Sequence, residues 1–472
     1  MSPAEYTSRR DFFRHTAAGL GVIALGDLLA EEFSTDPLLP RRPHFPPRAR
    51  SVIFLFMSGA PSQIDLFDYK PAMRQMHGEP MPASIVKDLK DDLIRGSARV
   101  MASPRTFQRY GRSGIEFSEL LPNLGSCADH LCVIRSFRTG NANHTPAQFL
   151  LNTGSIVAGR PSMGSWALYG LGSECRDLPG FVVMLSSTQG KGPEGGATNW
   201  SNGFMPSHFR GVTFRNQGDA VLHLSNPPGV TPGLQRARLD LVRDLNGERA
   251  ALTGDPEIAS RVAAYELAFR MQTAAPELLD FSREAPRTLE MYGVGKEPTH
   301  TFASNCLLAR RMVERGVRFV QLYHSSWDDH NDIQKNLDRH CAITDQPAAA
   351  LIRDLAQRGL LDSTLVVWGG EFGRTPMNEV RRGNTPGREG RDHHAEAFTM
   401  LLAGGGVRGG QVIGSTDDFG YHVISDPYDV HDLQATILHC LGMDHTRLTY
   451  RFQGRQHRLT DVYGNVIQKA MS

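Results

Sequence analysis

The chain has 472 residues, of which 40% are hydrophobic, so it can bury a large core in one big domain or two ordinary ones. Its formal net charge of +1 gives no overall field that would favour nucleic acid or an anionic membrane as a partner. Six cysteines are scattered without a CxxC pair, which excludes a small disulfide framework and predicts buried or unpaired thiols.

The N-terminal segment has the layout of an export signal. Residues 8–13, Ser-Arg-Arg-Asp-Phe-Phe, precede a Gly/Ala-rich apolar run from Thr16 to Ala30 that is too short for a transmembrane helix. This layout is typical of a bacterial twin-arginine signal, and an amphipathic helix with a basic start is the alternative. We predict a signal over 1–30 and a Pro/Arg-rich linker over 31–50. The protein would be periplasmic or secreted through the twin-arginine export machinery, with membrane contact only if the signal stayed uncleaved.

Apolar runs of strand length alternate with helical patterns over the rest of the chain. The predicted strands are Ser51–Met57, Leu131–Arg135, Phe181–Leu185, Arg318–Tyr323, Thr364–Trp368 and Phe398–Leu402. The predicted helices are Pro146–Leu151, Asp255–Met271, Phe302–Arg315, Gln346–Arg358 and Asp432–Leu441, with Thr145 and Asp255 as N-caps of the first two. This alternation favours an α/β fold with a doubly wound, largely parallel sheet and helices on both faces. The more polar stretch at about 208–300 predicts a helical insertion in a domain that spans 51–472.

Polar segments follow four of these strands, after Met57, Arg135, Tyr323 and Trp368. In a parallel sheet the carboxyl ends of the strands meet at one edge, and sites form in the crevice there. Segments that are hundreds of residues apart are therefore expected to converge on one crevice. The long loop over 186–207 is a further candidate for a functional segment.

Asp, Glu and His concentrate in three segments, at 327–331, 370–376 and 390–394. These residue types hold divalent ions such as Zn, Ca, Mg or Mn. The candidate metal ligands are Asp65, Asp328, His330, Glu371, Asp392 and His393. Structural roles are the alternative: a turn for Asp65, pairing with Arg374 for Glu371, and an ordinary hydrogen-bonded ring for His144.

Two arginines in the same segments are candidates for binding an anion. A guanidinium group can hold an anionic oxygen pair through two parallel hydrogen bonds, which both Arg374 and Arg391 could supply. The glycine-rich stretch at 404–410 has no Lys-Ser/Thr and no GxGxxG, so it gives little support to nucleotide binding.

Several of these segments, taken together, resemble a known family. The stretch from Phe54 to Pro71 resembles the opening of the secreted family called domain of unknown function 1501. The other segments that carry the resemblance are Gly159–Trp166, Trp327–His330, Gly370–Pro376 and Gly390–His393, and the likeness extends from Ser8 to about Gly442. This family resembles a divergent branch of the alkaline phosphatase and sulfatase superfamily. The resemblance implies a doubly wound α/β sandwich with metal ligands at the strand ends.

The superfamily pattern also implies roles for particular residues. The segment 361–373 resembles the sulfatase strand that ends in Asp-His-Gly, with Glu371 in place of the Asp and Phe372 in place of the His. The segment 144–154 resembles the nucleophile helix but lacks Cys-x-Pro-x-Arg, so formylglycine chemistry is not expected. Thr145 would then be a phosphatase-type nucleophile. Asp65 is the nearest substitute for the missing Asp directly after the first strand.

The leading hypothesis is an exported metal-dependent hydrolase of phosphate or sulfate esters. Thr145 or a metal-activated water would attack the ester, and Arg374 or Arg391 would stabilise the charge that develops on its oxygens. The substrate would be an anionic ester or a sulfated or phosphorylated polysaccharide. The alternative is a non-catalytic exported polysaccharide-binding protein on a degenerate hydrolase scaffold, which the Phe372 replacement favours. An isomerase or mutase of phosphorylated sugars is a third hypothesis.

Overall fold

The computed structural model describes residues 37–472, apart from residues 88, 90, 91, 188, 189, 217 and 380–386. The predicted signal over 1–30 lies outside the described residues. Among the residues that are described, no helix is long and apolar enough to cross a membrane.

A long sheet forms the centre of the described chain. Strands are numbered in chain order, and β7 and β8 form a separate hairpin that is not part of this sheet. The strands are β1 Ser51–Met57, β2 Leu131–Arg138, β3 Phe181–Ser187, β4 Val212–Thr213, β5 Phe319–Ser325, β6 Thr364–Gly369, β7 Gly373–Asn378, β8 Arg391–His394, β9 Phe398–Ala403, β10 Gln411–Ile413 and β11 Tyr428–Asp429. Across the sheet the order is β10-β2-β9-β6-β1-β5-β3-β4, and β11 pairs with β2. Within this sheet β9 alone runs antiparallel to its neighbours, whereas β7 and β8 form a separate antiparallel pair. The prediction of a largely parallel sheet is confirmed.

Helices cover both faces of this sheet, but the helix Pro232–Thr253 packs mainly on the helix that follows it. The helices are α1 His144–Thr153, α2 Met163–Leu171, α3 Pro232–Thr253, α4 Pro256–Leu279, α5 Pro286–Tyr292, α6 His300–Glu314, α7 Ile333–Gln357 and α8 Val430–Cys440. Short helical turns occur at Gln63–Leu66, Ala72–Gln75, Ala83–Val86, Asp92–Ser97 and Pro122–Gly125. Small hairpins pair Phe107–Tyr110 with Ile115–Ser118, Ser415–Thr416 with Val423–Ser425, and Tyr450–Phe452 with Arg455–His457.

The burial of β1 shows why the sheet is covered on both sides. All seven of its residues are buried. Ile53 and Leu55 belong to the core beneath α6 and α7, whereas Phe54 and Phe56 belong to the core beneath α1, α2 and α8. Because successive side chains of a strand point to opposite faces, a continuous apolar run requires two covered faces. The predicted doubly wound α/β fold is confirmed.

Strand direction brings the candidate segments to one edge. The carboxyl ends of β1, β2, β3, β5 and β6 share an edge, because these strands run in one direction. The antiparallel strand β9 begins at that same edge, so the hairpin strand β8, which precedes it, also lies there. Residues before β9 and residues after the parallel strands therefore meet.

Three predicted helix boundaries are wrong, and one of them is the end predicted at Met271, because that helix continues to Leu279. Thr145 is not an N-cap, because α1 starts at His144 and Asn143 has the extended cap conformation. The helix predicted from Gln346 starts at Ile333, because Pro347 lies inside α7 instead of in its first turn. The cap at Asp255 is confirmed, since its side chain accepts the backbone N–H of Glu257.

We expect the replacement Asp429→Ala to lower the free energy of unfolding by about 1–2 kcal/mol, the usual value of an N-cap. The Asp429 side chain caps α8 in a reciprocal capping box with Asp432, and α8 packs on the sheet. Urea unfolding followed by circular dichroism measures the change. The exposed Asp418 provides the control: Asp418→Ala should change stability little, and equal losses for both variants would contradict the cap's contribution.

Candidate metal centre

The loop after β5 carries Asp328 to the site edge. Ser326 has a positive φ of 91°, so the chain turns directly after the strand. The backbone N–H of Trp327 donates to the carbonyl of Ser58 at 3.1 Å, which ties this loop to the end of β1. Gly59 has φ +110°, and a Cβ there would lie 2.6 Å from the backbone nitrogen of Asp328. Only glycine allows this close approach.

Four nitrogen atoms surround one carboxylate oxygen, Oδ1 of Asp328. They are Arg374 Nη2 at 2.8 Å, His330 Nε2 at 2.9 Å, His393 Nε2 at 3.1 Å and His144 Nε2 at 3.2 Å. The Nε2 atoms of His330 and His393 are themselves 2.9 Å apart. The Asp328 side chain is 37% exposed and the three rings are far more buried. The cluster is therefore open to solvent mainly at Asp328.

Each of the three rings is anchored through its other nitrogen, Nδ1. A carboxylate or carbonyl acceptor at Nδ1 keeps the proton on that nitrogen and leaves the Nε2 lone pair directed at the cluster. The Nδ1 contacts are His144 to Glu371 Oε1 at 2.7 Å, His330 to Glu379 Oε2 at 2.9 Å, and His393 to the carbonyl of Ala142 at 2.6 Å. This arrangement of anchored rings is typical of histidines that bind metal.

Two overlapping groups of donor atoms, which share His393, each have a spacing that could hold a divalent ion. Two ligands held at about 2.1 Å by a tetrahedral ion lie about 3.4 Å apart, close to the separations observed around Asp328. The ligand atoms of His144, Asp328 and His393, and those of His330, Asp392 and His393, lie within 4.8 Å of one another in each group. His144 Nε2 is buried and makes no hydrogen bond to any described residue. A bound ion would satisfy a buried ring nitrogen of this kind.

The charges in the cluster are strongly coupled. Burial alone would lower the pKa of His144, but the carboxylates of Asp328 and Glu371 outweigh it and raise that pKa to about 9. Burial would likewise raise the pKa of Asp328, yet the contacts with the three rings and the charge of Arg374 hold that pKa far below its usual range. A proton on His144 thus occupies a place between two carboxylates that a bound cation would take.

Glu371 is fully buried and supports the cluster from behind. Its Oε1 accepts hydrogen bonds from the backbone N–H of Gly59 and from Gln148 Nε2, both at 3.0 Å. Burial would raise the pKa of Glu371, but the bonds from His144 and Gln148 lower it overall. Glu371 therefore lies behind His144 and contacts the cluster through its hydrogen bond with that ring, not as a direct neighbour of Asp328.

Phe372 forms an apolar wall of the site. Its ring centroid lies 4.9 Å from that of His144 and 4.7 Å from that of His393. This is the position where the sequence pattern led us to expect an imidazole in a sulfatase-like enzyme. A phenyl ring cannot ligate a metal, so Phe372 limits the donors on this side of the centre.

Arg374 is buried with its donors already occupied. It orients Asp328 through the 2.8 Å contact, and its remaining bonds go to backbone carbonyls. These acceptors are Gly59, Ala60 at 3.0 Å, Arg391 at 3.1 Å and Trp327 at 3.2 Å. With no exposed surface, this guanidinium acts on Asp328 and on the loops around it.

Asp65 and Arg391 form a buried ion pair of their own. Arg391 Nε donates to Asp65 Oδ2 at 2.8 Å, and both side chains have no exposed surface. The carboxylate also accepts the hydroxyl of Ser62 at 2.6 Å and the side-chain amide of Gln334 at 3.3 Å. This pair links the short helix after β1 to the start of β8, which carries His393.

The remaining candidate residues lie beside the centre. Thr145 is half-buried in the first turn of α1, directly after His144. Asp392 is half-buried, and its Oδ1 accepts the backbone N–H of His393 at 2.8 Å.

Two residues of the centre were not among the sequence candidates. His144 was treated as a structural histidine, although its place in the polar segment after β2 already put it at the site edge. The sequence gives no signal for Glu379, because nothing in it indicates the β7–β8 hairpin that brings this residue to His330. Asp328 and His330 do converge, but the turn after β5 causes this and not the strand alternation assumed from their spacing.

Three solved structures are similar to this chain at low sequence identity. The PsFucS1 sulfatase from Pseudoalteromonas sp. is 11% identical, with 85% of this chain and 68% of that chain covered and a TM-score of 0.32. The alkaline phosphatase from the Antarctic bacterium TAB5 is 11% identical, with 83% and 98% covered and a TM-score of 0.32. Ps i-CgsB in complex with k-i-k-neocarrahexaose is 12% identical, with 85% and 72% covered and a TM-score of 0.35. No curated protein matches the chain.

A family model described as "Protein of unknown function (DUF1501)" matches residues 49–471. The chain belongs to this family, as the sequence resemblance indicated. The match includes every residue of the cluster around Asp328, from His144 to His393.

We expect Arg391→Met to lower the free energy of unfolding by about 3–5 kcal/mol, because the change leaves the Asp65 carboxylate buried without its partner. Chemical denaturation at neutral pH measures the loss. Arg388, which pairs with Asp332 at the surface and is 62% exposed, is the matched control. Arg388→Met should cost at most about 1 kcal/mol, and similar losses for both variants would contradict the importance of burial.

Proposed function

We propose that this protein is an exported, metal-dependent hydrolase of phosphate or sulfate esters. The observation that carries the proposal is the convergence of three anchored imidazole nitrogens on Asp328 Oδ1, at 2.9–3.2 Å. A cluster of this composition at the carboxyl edge of a parallel sheet lies where α/β enzymes place their sites. Export rests on the twin-arginine pattern of residues 8–13.

The proposed metal ligands are Asp328, His144, His330 and His393, with Asp392 as an alternative oxygen donor. A divalent ion held there would act as a Lewis acid toward an ester oxygen and would lower the pKa of water in the site. Three imidazoles and one carboxylate suit Zn²⁺ better than Ca²⁺ or Mg²⁺, which prefer oxygen ligands.

The protein's own groups would divide the remaining work. Glu371 holds the Nδ1 proton of His144 and so keeps the Nε2 lone pair directed at the centre. Thr145, in the first turn of the ten-residue helix α1, is our proposed nucleophile, with its hydroxyl beside the partial positive charge of a helix N-terminus. Arg374 positions Asp328, and the Arg391 pair with Asp65 holds the strand that carries His393.

The proposed substrate is an anionic ester, free or carried on a sulfated or phosphorylated polysaccharide. The open side of the cluster at Asp328 is the route by which such a group would reach the centre, since this carboxylate is 37% exposed. An ester oxygen would then meet a cationic centre next to the N-terminus of α1.

One observation favours the second candidate, a non-catalytic polysaccharide-binding protein. Phe372 packs against both His144 and His393 where the superfamily pattern implies a ligating ring. An apolar ring there limits the centre to one ion, whereas a pair of ions would clamp both the attacking and the leaving oxygen. A one-ion centre can still bind an anion after its catalytic power is lost.

We expect the purified protein to bind about one divalent ion per chain, because the two candidate ligand groups share His393 and cannot both use it. His330→Ala and His393→Ala should each weaken binding about 10- to 100-fold or more, as loss of metal-site groups does. Elemental analysis after dialysis and titration with Zn²⁺ measure both effects. The exposed His130 is the control, and His130→Ala should bind like the native chain. A native chain that takes up no ion would contradict the centre.

We expect the metal-loaded chain to hydrolyse an aryl phosphate or an aryl sulfate. Asp328→Asn should lower kcat/KM by about 10² or more, because it removes the charge that gathers the ligands. Thr145→Val should abolish turnover without reducing metal content if the hydroxyl is the nucleophile. Binding of a sulfated polysaccharide that survives Asp328→Asn and His393→Ala, with no turnover by any variant, would favour the binding protein instead.

A further inference from the structure

The helix α3 presents an unpaired face to solvent. None of its 22 residues, all of them described, is buried. One side of the helix packs on α4 through half-buried residues that include Leu239, Val242 and Ala250. The opposite side carries four leucines: Leu234 is 43% exposed, Leu241 61%, Leu245 58% and Leu252 87%.

The four leucines form one stripe. Their spacings are seven, four and seven residues, which returns to nearly the same angle on an α-helix. The stripe is about 27 Å long, because each residue advances the helix by about 1.5 Å. A leucine face of this length that faces water indicates a contact surface.

Two charged residues complete the stripe. Arg238 and Glu248 are exposed and fill the gaps between the leucines, so six positions follow one another at intervals of four, three, four, three and four. This is the a/d spacing of a coiled coil. In order the stripe reads Leu234, Arg238, Leu241, Leu245, Glu248 and Leu252.

The stripe is complementary to itself when reversed. A two-fold axis at the level of residue 243 would place Leu234 opposite Leu252 of a second copy and Leu241 opposite Leu245. The same axis would place Arg238 opposite Glu248, so the polar positions form an opposite-charge pair on each side of the axis. A parallel pairing would instead oppose like charges at both positions.

We propose that α3 is the interface between two copies of this chain, packed antiparallel about residue 243. The reversed match of both the apolar and the charged positions favours a second copy over a different protein, since an unrelated partner would not require a palindromic stripe. Asp244 would approach its own counterpart near the axis, and Arg243, whose Nε lies 3.3 Å from Asp244 Oδ1, neutralises that contact.

Sedimentation of the full chain from about 1 to about 100 μM tests the interface, because dimerisation depends on concentration. We expect a native dimer that becomes a monomer in the double variant Leu241→Gln with Leu245→Gln. Leu222, a 65% exposed leucine outside the stripe, is the control, and Leu222→Gln should remain dimeric. A native chain that is monomeric throughout, or a dimer unaffected by the double change, overturns the proposal.

Charge exchange tests the antiparallel register without altering the leucines. Arg238→Glu and Glu248→Arg should each weaken dimerisation about tenfold or more, because each brings like charges together. The two changes combined should restore the native dissociation constant. Both positions are exposed, so we expect the charge variants to fold normally. The charge exchange therefore tests the antiparallel pairing even if the leucine variant misfolds. Weakening without restoration, or binding to anionic vesicles in place of a dimer, overturns the antiparallel pairing.

Discussion

A single carboxylate oxygen organises the site edge of this protein. Oδ1 of Asp328 is contacted by nitrogens from Arg374 and from three histidines that belong to separate segments of the chain. Because four nitrogens surround this one oxygen, its negative charge holds together loops that would otherwise bring only positive or neutral nitrogens into contact. The backbone turn at Gly59 and the anchoring of each ring through Nδ1 serve the same end, since both fix the distance of a donor from Asp328.

Much of the fold follows from local patterns in the sequence. The apolar run Ser51–Met57 predicted a strand with the bounds that the structure has, because burial on both faces leaves no polar interruption. The site could be placed at the carboxyl edge by the same reasoning. The hairpin β7–β8 could not be predicted, because its two strands are mostly polar and pair with each other outside the main sheet. The contact between Glu379 and His330, which depends on this hairpin, could therefore not be predicted either.

Residue type alone also does not reveal which partner each candidate residue contacts. Asp65 and Arg391 looked like a ligand and an anion binder, yet each has no exposed surface and is the other's charge partner. His144 looked ordinary because a lone histidine before a helix is common. Its role depends on Glu371, which is 227 residues away in the sequence. Chemical roles that depend on pairs distant in the chain can be assigned only once the sheet has brought the pairs together.

The antiparallel strand β9 has a consequence for when the centre can form. His393, the last of the four proposed ligands in the chain, comes 249 residues after His144 and shortly before β9, the strand that joins β2 to β6. A nascent chain that ends before β8 would have three of the four proposed ligands, and one that ends before β9 would still lack the strand that joins β2 to β6. Ion capture would then come at the end of assembly, so that occupancy of the centre reports a finished sheet and stabilises it by mass action.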